Sequence, residues 1–332
     1  MRTLPAGREM TIVAALAVVV VVTGIVHPSF VSGQGLHDLF LNASIIALLA
    51  VGQTLLVITR NIDLSVGSVM GLTAYLSGQL FLADQNTPTI LVLAAGIGLG
   101  AVCGAINGAL VAIAKVPALV VTLGTLYVFR GINHAWASST DVQQVNAYQM
   151  SPDFLSFGSG SVLGIPNLSL IALAVLAVVA YSLHGYRAGR ELYAIGSNPD
   201  AARLAGIPMG RRVFGAFVIS GALVGLGGAT HAAYFGTINA SVGTGRELAV
   251  VAAVVVGGVA IFGGSGTVVG AVLGALLLTT ITSALPVLGV PAFWQRAVDG
   301  AALLLAISAD RAVLVRMAAR LRARQHSIRS GR

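Results

Sequence analysis

The chain has 332 residues, of which 56% are hydrophobic and 9% are charged, and its mean hydropathy is +0.91. Soluble globular proteins carry about 25% charged residues, so this composition excludes a water-soluble enzyme, a disordered protein and a small disulfide-stabilised domain. Aromatic residues make up only 6% of the chain, and long runs of valine, alanine, leucine and isoleucine replace the alternating segments typical of a β-barrel. We therefore expect an all-α polytopic membrane protein.

Apolar runs separated by polar breaks predict a bundle of about ten transmembrane helices, because a bilayer core about 30 Å thick needs about 20 apolar residues per helix. The first run follows Arg2 and Arg8, as in a signal peptide, but no small-residue cleavage site follows it, so we expect it to be retained as a helix. The predicted spans are residues 10–26, 39–59, 64–83, 90–114, 118–136, 166–184, 213–235, 248–262, 267–285 and 293–309.

The basic residues predict the orientation of the bundle. The net charge is +8, and when the N-terminus is placed inside, 16 of the 19 lysines and arginines fall on the cytoplasmic side, as the positive-inside rule requires. Both termini are therefore expected in the cytoplasm, and residues 137–165 are expected as an exposed loop on the opposite side. We divide the chain into a transmembrane domain, 1–310, and a basic cytoplasmic tail, 311–332, whose seven arginines suit lipid phosphates better than nucleic acid.

Glycines spaced four residues apart predict close packing between helices. Gly96, Gly100 and Gly104 run along the fourth predicted span, and Gly221 and Gly225 begin the seventh. Helices in lipid associate where small residues let their backbones approach. No metal site is predicted, because Cys103 is the single cysteine and the six histidines show no zinc-binding spacing.

The longest predicted cytoplasmic loop, 185–212, contains the signals of a short helix of its own. Such a helix, set between two spans, is well placed to be held by a partner protein, and the alternative is an amphipathic helix that lies on lipid. The signals are a cap at Ser197 or Asn198, Pro199 at the first helical position, Asp200 at the positive end of the helix, and Gly206 with Pro208 at its stop.

Several stretches of the sequence resemble the permeases of ABC importers. Residues 200–207, Asp-Ala-Ala-Arg-Leu-Ala-Gly-Ile, are similar to the "EAA…G" coupling segment of these permeases, with Asp200 in place of the usual glutamate. Nearly the whole chain resembles the permease family of monosaccharide importers, which includes the ribose, xylose, arabinose, rhamnose and autoinducer-2 types. The stretches that carry this likeness are 59–68, 116–131 and 255–267, and 290–300 is most similar to the rhamnose and autoinducer-2 types.

This resemblance implies that the chain is the transmembrane permease subunit of an ATP-driven ABC importer for a monosaccharide, of the rhamnose-like or autoinducer-2-like kind, and that it works by alternating access in the bacterial cytoplasmic (inner) membrane. It also implies partners: an ABC ATPase subunit, a periplasmic or lipid-anchored sugar-binding protein, and a second copy or a paralogue of the permease. The residues that would couple to the ATPase are Asn198, Pro199, Asp200, Ala201, Ala202, Arg203, Leu204 and Gly206.

The chain is not expected to be an enzyme. Its only lysine, Lys115, does not lie in a Gly-x-x-x-x-Gly-Lys-[Ser/Thr] phosphate loop. We therefore expect no catalytic residue and no cofactor on this chain, with ATP and Mg²⁺ bound by the separate ATPase subunit.

Polar residues in or beside the predicted spans are candidates for the substrate path, since an uncharged sugar needs hydroxyl and amide partners. Around Asp63 two interpretations stay open: Asp63 caps the third span at the inner surface, or the helix is broken inside the membrane and lines the path. Arg130 is expected near the outer end of its span, with its head at the interface. The path candidates are Asn61, Asp63, Ser65, Asn107, Thr122 and Asn133.

Asp299 is the one acid that the predicted spans place well inside the membrane, where an ionisable residue is a functional candidate. Arg296 lies three residues earlier on the same helix face, so a structural ion pair is favoured over a proton relay. The relay would suit one alternative function, a self-sufficient secondary transporter of a small polar solute. A second alternative keeps the ABC class and changes the cargo to branched-chain amino acids.

Overall fold

The computed structural model describes residues 5–140, 142–291, 293–306 and 308, and the predicted basic tail lies outside these residues. A π-helical turn, Ala109–Ile113, extends the fourth helix. Strand β1 (Gln144–Asn146) pairs antiparallel with β4 (Thr237–Asn239), and β2 (Ser161–Val162) with β3 (Ile165–Pro166). The helices are α1 (Pro5–Val26), α2 (Gly33–Ile58), α3 (Val66–Ala83), α4 (Thr89–Gly108), α5 (Ala118–Ser138), α6 (Pro152–Ser159), α7 (Asn167–Gly185), α8 (Arg187–Ser197), α9 (Pro199–Leu204), α10 (Met209–Phe235), α11 (Arg246–Val256) and α12 (Val268–Val287), and residues 294–306 are helical as well.

Seven of the described helices are long and apolar enough to cross a membrane: α1, α2, α3, α4, α7, α10 and α12. Helix α5 has 21 residues but does not join them, and it carries Arg130 and His134 in its second half. Helix α11 has 11 residues and extends over only about 16 Å. Residues 248–262 are therefore not one continuous helix, because α11 ends at Val256 and glycine-rich turns follow. The count of ten spans and the sides of the two termini stay predictions.

Helix α2 forms the centre of the bundle, since every residue from Ala43 to Ile58 is buried. Helices α10, α12, α7 and α11 pack around it, and α3 lies between α10 and α5. Helix α1 lies at the periphery against α12. The Thr54 hydroxyl of α2 donates to the Ala50 carbonyl oxygen at 2.7 Å, and the Ser44 hydroxyl lies 2.8 Å from that of Ser169 in α7.

The predicted glycine packing is confirmed between α4 and α10. A Cβ on Gly100 would overlap the carbonyl oxygen of Gly221, and a Cβ on Gly221 would overlap that of Gly100. Gly96 and Gly225 face each other one turn further along. The two backbones are therefore in direct contact, which only glycine allows at these positions.

The two ends of the bundle differ. One end carries α8, α9 and the turn 257–266, and we call it the α9 end. The other end carries the β1–β4 pair and residues 142–165, which were expected as an exposed loop. Most of this segment is exposed or half-buried, as expected, but Val145, Met150 and Phe154 are buried, and Gly158 packs directly on the backbone of Ala233 in α10.

Candidate functional site

Helix α9 has the caps that its sequence predicts. The Asn198 side-chain oxygen accepts hydrogen bonds from the backbone N–H groups of Asp200 and Ala201, both at 3.1 Å. Pro199 occupies the first helical position, where the missing N–H costs nothing. Gly206 ends the helix with φ = +72°, a left-handed conformation that favours glycine.

Most of α9 is exposed to solvent. Ala202 is buried and holds the helix on the bundle, whereas Asp200, Ala201 and Arg203 are exposed and Leu204 is 90% exposed. A leucine left so exposed at the tip of a loop offers apolar contact area to another protein. The surface that the resemblance assigns to the ATPase is thus available for contact.

Helix α8 is fixed to the start of α10 by a three-residue ion network. The Glu191 carboxylate accepts from Arg212 Nε at 2.5 Å and from Arg187 Nε at 2.7 Å, and its side chain is only 7% exposed. Hydrogen bonds from Arg212 and then from Arg187 lower the pKa of the Glu191 carboxyl below its usual range. The Tyr193 hydroxyl donates to the Gly266 carbonyl oxygen at 2.9 Å and so ties α8 to the turn 257–266.

Three segments meet where α2 ends. Arg60 donates from Nε to the Gly196 carbonyl oxygen at 2.6 Å and from Nη2 to the Ser197 carbonyl oxygen at 2.9 Å. The Gly264 N–H donates to the Ile58 carbonyl oxygen at 2.8 Å. Gly196 has no room for a Cβ, because the backbones of Ile58 and Gly264 already touch it. We call this contact of residues 58–60, 196–197 and 263–264 the α9-end junction. From the sequence alone, Arg60 is only one of the 16 basic residues expected on the cytoplasmic side.

Four of the six path candidates come together directly after the junction, around the break between α2 and α3. The Asp63 carboxylate accepts from the N–H of Ser65 at 2.7 Å and from its hydroxyl at 2.6 Å. The Asn107 amide donates to the Ser65 hydroxyl at 2.8 Å, and Thr122 donates to the Ile62 carbonyl oxygen at 3.1 Å. Asp63 and Ser65 are buried, so the break lies inside the bundle.

The remaining details of this cluster differ from the simplest prediction. Ser65, rather than Asp63, is the N-cap residue of α3. Asp63 lies two positions earlier, and its carboxylate accepts a hydrogen bond from the Ser65 N–H. Asn61 binds Thr59, its own neighbour, through its amide. The polar side chains of the break therefore mainly satisfy one another.

Asn133 lies apart from this cluster, beside the turn that precedes α11. Its amide donates to the Ala240 carbonyl oxygen at 3.2 Å. On the same helix, Arg130 Nη2 lies 3.7 Å from Glu247 Oε2, and the Arg130 side chain is 18% exposed. Arg130 is the thirteenth of the 21 residues of α5 and faces an acid, and the expectation that its head lies at the outer interface stays a prediction. Sequence reasoning missed Glu247.

Asp299 and Arg296 do not form the expected ion pair within the described residues. Asp299 instead interacts electrostatically with Arg246. The Arg296 guanidinium lies beside Gly245, where a Cβ would stand 3.5 Å from its Nε. Arg296 and Asp299, which were predicted to pair on one helix, thus both interact with the start of α11 instead. The described residues contain no group of three or more metal-binding side chains.

Comparison with known proteins identifies relatives over most of the chain. The family model described as the permease component of branched-chain amino acid transport systems matches residues 35–307. The autoinducer 2 import system permease protein LsrC of Shigella flexneri is 37% identical over 304 residues, which are 92% of this chain and 87% of that protein. Its counterpart in Salmonella paratyphi B is 37% identical over 90% of this chain and 84% of that protein. No solved structure matches this chain significantly.

Proposed function

The chain belongs to this family of ABC importer permeases, and from that premise we propose that it imports a monosaccharide-like, polyhydroxylated solute, with autoinducer 2 as the first candidate. The observation that carries the proposal is the similarity to the autoinducer 2 permeases, which extends over 92% of the chain. The chain is a transport subunit without its own ATPase.

Such a subunit works with an ATPase and with a substrate-binding protein. We propose that the ATPase, which binds ATP and Mg²⁺, contacts this chain at α9. The contacting residues are Asn198, Pro199, Asp200, Ala201, Ala202, Arg203, Leu204 and Gly206. Support comes from the exposed Leu204 and Arg203 and from the firm cap that Asn198 provides. The second permease is a further copy of this chain or a paralogue.

The α9 end then faces the cytoplasm of a bacterium, and the importer lies in its inner membrane. Arg60, Arg187, Arg203 and Arg212 all lie at this end, in agreement with the positive-inside rule. The β1–β4 end faces the substrate-binding protein. Alternating access follows when ATP closes the ATPase dimer and α9 transmits the movement to the bundle.

The junction offers a direct route for that movement. A displacement of α9 moves the end of α8, and Arg60 binds two carbonyl oxygens there. Arg60 precedes the break at Asp63 by three residues, and Asn107 of α4 and Thr122 of α5 bind the break. A small shift of α9 can thus reach α3, α4 and α5 together. The path candidates Asn61, Asp63 and Ser65 lie in the break before α3, Asn107 lies on α4, and Thr122 and Asn133 lie on α5.

The test is to purify the tagged chain from its native membrane in mild detergent and to identify the proteins that accompany it. We expect a stoichiometric ATPase with a phosphate loop and a substrate-binding protein, which is then titrated with autoinducer 2, D-ribose, L-rhamnose and L-leucine. Binding of leucine alone would show that the cargo is an amino acid rather than a sugar-like solute. Transport by this chain alone in liposomes without ATP would overturn the ABC mechanism.

A further inference from the structure

The start of α11 packs against α3 and faces α5. The Arg130 side chain is 18% exposed, and the Glu247 side chain, at 3.7 Å from it, is 16% exposed. Both charged side chains are therefore mostly enclosed by the protein.

Glycines on α3 bring the start of α11 against that helix. A Cβ on Gly67 would overlap the Glu247 carboxylate and the Gly243 carbonyl oxygen, and a Cβ on Gly71 would overlap the Val242 carbonyl oxygen. Gly243 itself has φ = +81°, a conformation that favours glycine. The glycines of α3 thus leave the space that the Glu247 carboxylate occupies inside the bundle.

Three polar atoms here are buried and lack a hydrogen-bond partner among the described residues: Arg130 Nη2, Glu247 Oε2 and Asn133 Oδ1. Arg130 and Glu247 attract each other at 3.7 Å, but this separation is too long for a hydrogen bond. Asn133 is 1% exposed, and its amide nitrogen is already held by the Ala240 carbonyl oxygen. Leaving charged groups unsatisfied in the interior is costly, which favours a ligand at this position.

We propose that Arg130, Glu247 and Asn133 form a binding site for hydroxyl groups of the transported solute. This proposal rests on the function proposed above and names residues that the substrate contacts. A hydroxyl both donates and accepts. One hydroxyl oxygen at about 2.9 Å from both charged atoms therefore accepts from Arg130 and donates to Glu247 at once, and a second hydroxyl donates to Asn133 Oδ1.

The surrounding charges favour a neutral or singly negative polyol. Arg130, Arg246 and Arg296 gather around residues 240–247 with Glu247 and Asp299, which leaves one positive charge in excess. The break at Asp63 is a weaker candidate, since its carboxylate is already satisfied by Ser65. At Glu247, hydroxyl groups of the solute supply the hydrogen-bond partners that Arg130 Nη2, Glu247 Oε2 and Asn133 Oδ1 lack among the described residues.

The test uses the complete importer, with its ATPase and binding protein, in proteoliposomes, and measures uptake of radiolabelled autoinducer 2, D-ribose and L-rhamnose. Glu247→Gln removes the charge at constant shape, and Asn133→Ala removes the amide oxygen. We expect uptake to fall about tenfold or more in Glu247→Gln. Thr280→Val is the control, because the Thr280 hydroxyl bonds within its own helix, to Leu276.

Unchanged uptake in both Glu247→Gln and Asn133→Ala would overturn the proposal. If Glu247→Gln does not assemble, the double exchange Arg130→Glu with Glu247→Arg restores the ion pair in reverse. Recovery of assembly without uptake supports a substrate contact, and recovery of both shows that the pair is structural only. A wild-type importer that takes up none of the three solutes would refute the proposed function instead, before any variant is compared.

Discussion

Arg60 connects parts of the chain that are 136 residues apart, through charge-assisted hydrogen bonds to two carbonyl oxygens at the end of α8. Each such bond is stronger than a neutral one, and the bond to the Gly196 carbonyl oxygen is partly buried. Arg60 has φ = +66°, which is unfavourable for any side chain with a Cβ. Replacement by alanine therefore leaves the backbone strain unchanged and removes only the contacts.

We expect Arg60→Ala to lower ATP-driven uptake about tenfold, because the loss of one charge-assisted bond corresponds to about 1.5 kcal/mol. ATP hydrolysis should continue without transport. Uptake and ATP hydrolysis in proteoliposomes measure the two activities. Arg190→Ala is the matched control, since Arg190 also donates to two carbonyl oxygens, those of His184 and Gly185, but away from the junction. Equal effects of the two substitutions would contradict a coupling role for Arg60.

Helix α9 is the element that we assign to the ATPase, and its charge can be changed without disturbing the bundle. Arg203 is exposed in its last turn. We expect Arg203→Glu to abolish uptake and to leave the permease in the membrane with an unchanged melting temperature, since surface substitutions shift stability by only about 0.5 kcal/mol. Arg190→Glu, an exposed charge reversal on α8, is the control. Undiminished uptake in Arg203→Glu would remove the coupling role from α9.

The contact between α8 and α10 should depend on pH, because the folded-state pKa of Glu191 is lowered by Arg212 and Arg187. A carboxyl with a lowered folded-state pKa stabilises the fold above its unfolded pKa of about 4.3. This stabilisation is lost as the pH falls through the lower folded pKa. We therefore expect wild type to melt at a higher temperature than Glu191→Gln at neutral pH.

As the pH falls from the unfolded pKa of about 4.3 through the lower folded pKa, the two melting temperatures should converge, because Glu191 then becomes protonated in the folded wild type as well. The measurement is the melting temperature of the purified permease in detergent at stepwise lower pH. Glu9→Gln serves as a control for general acid effects, since Glu9 accepts a single bond from the Thr267 hydroxyl at 3.0 Å. A difference in melting temperature between wild type and Glu191→Gln that stays constant with pH would show that the network of Glu191, Arg187 and Arg212 does not act through charge.

At the scale of the whole molecule, the sequence predicts the features that depend on residues close together along the chain. The caps of α9 at Asn198 and Gly206 follow from local chemistry, and the apolar runs locate the long helices. Features that join distant segments were missed. The Arg60 contacts and the Arg130–Glu247 pair carry no local signal, and Glu247 lies just before the predicted span 248–262.

The α4–α10 packing shows how spacing in one helix predicts contact with another, and it can be tested with a matched pair of substitutions. Gly100 touches the backbone of Gly221 and Gly225, whereas Gly98, two residues earlier, is exposed and has no described atom within 4 Å of its added Cβ. Gly100→Ala should push α4 from α10 and destabilise the permease by about 1–3 kcal/mol. Gly98→Ala should be neutral or slightly stabilising, because alanine favours a helix over glycine. Melting temperatures in detergent measure both, and a Gly100→Ala protein as stable as Gly98→Ala would mean that this contact does not hold the bundle together.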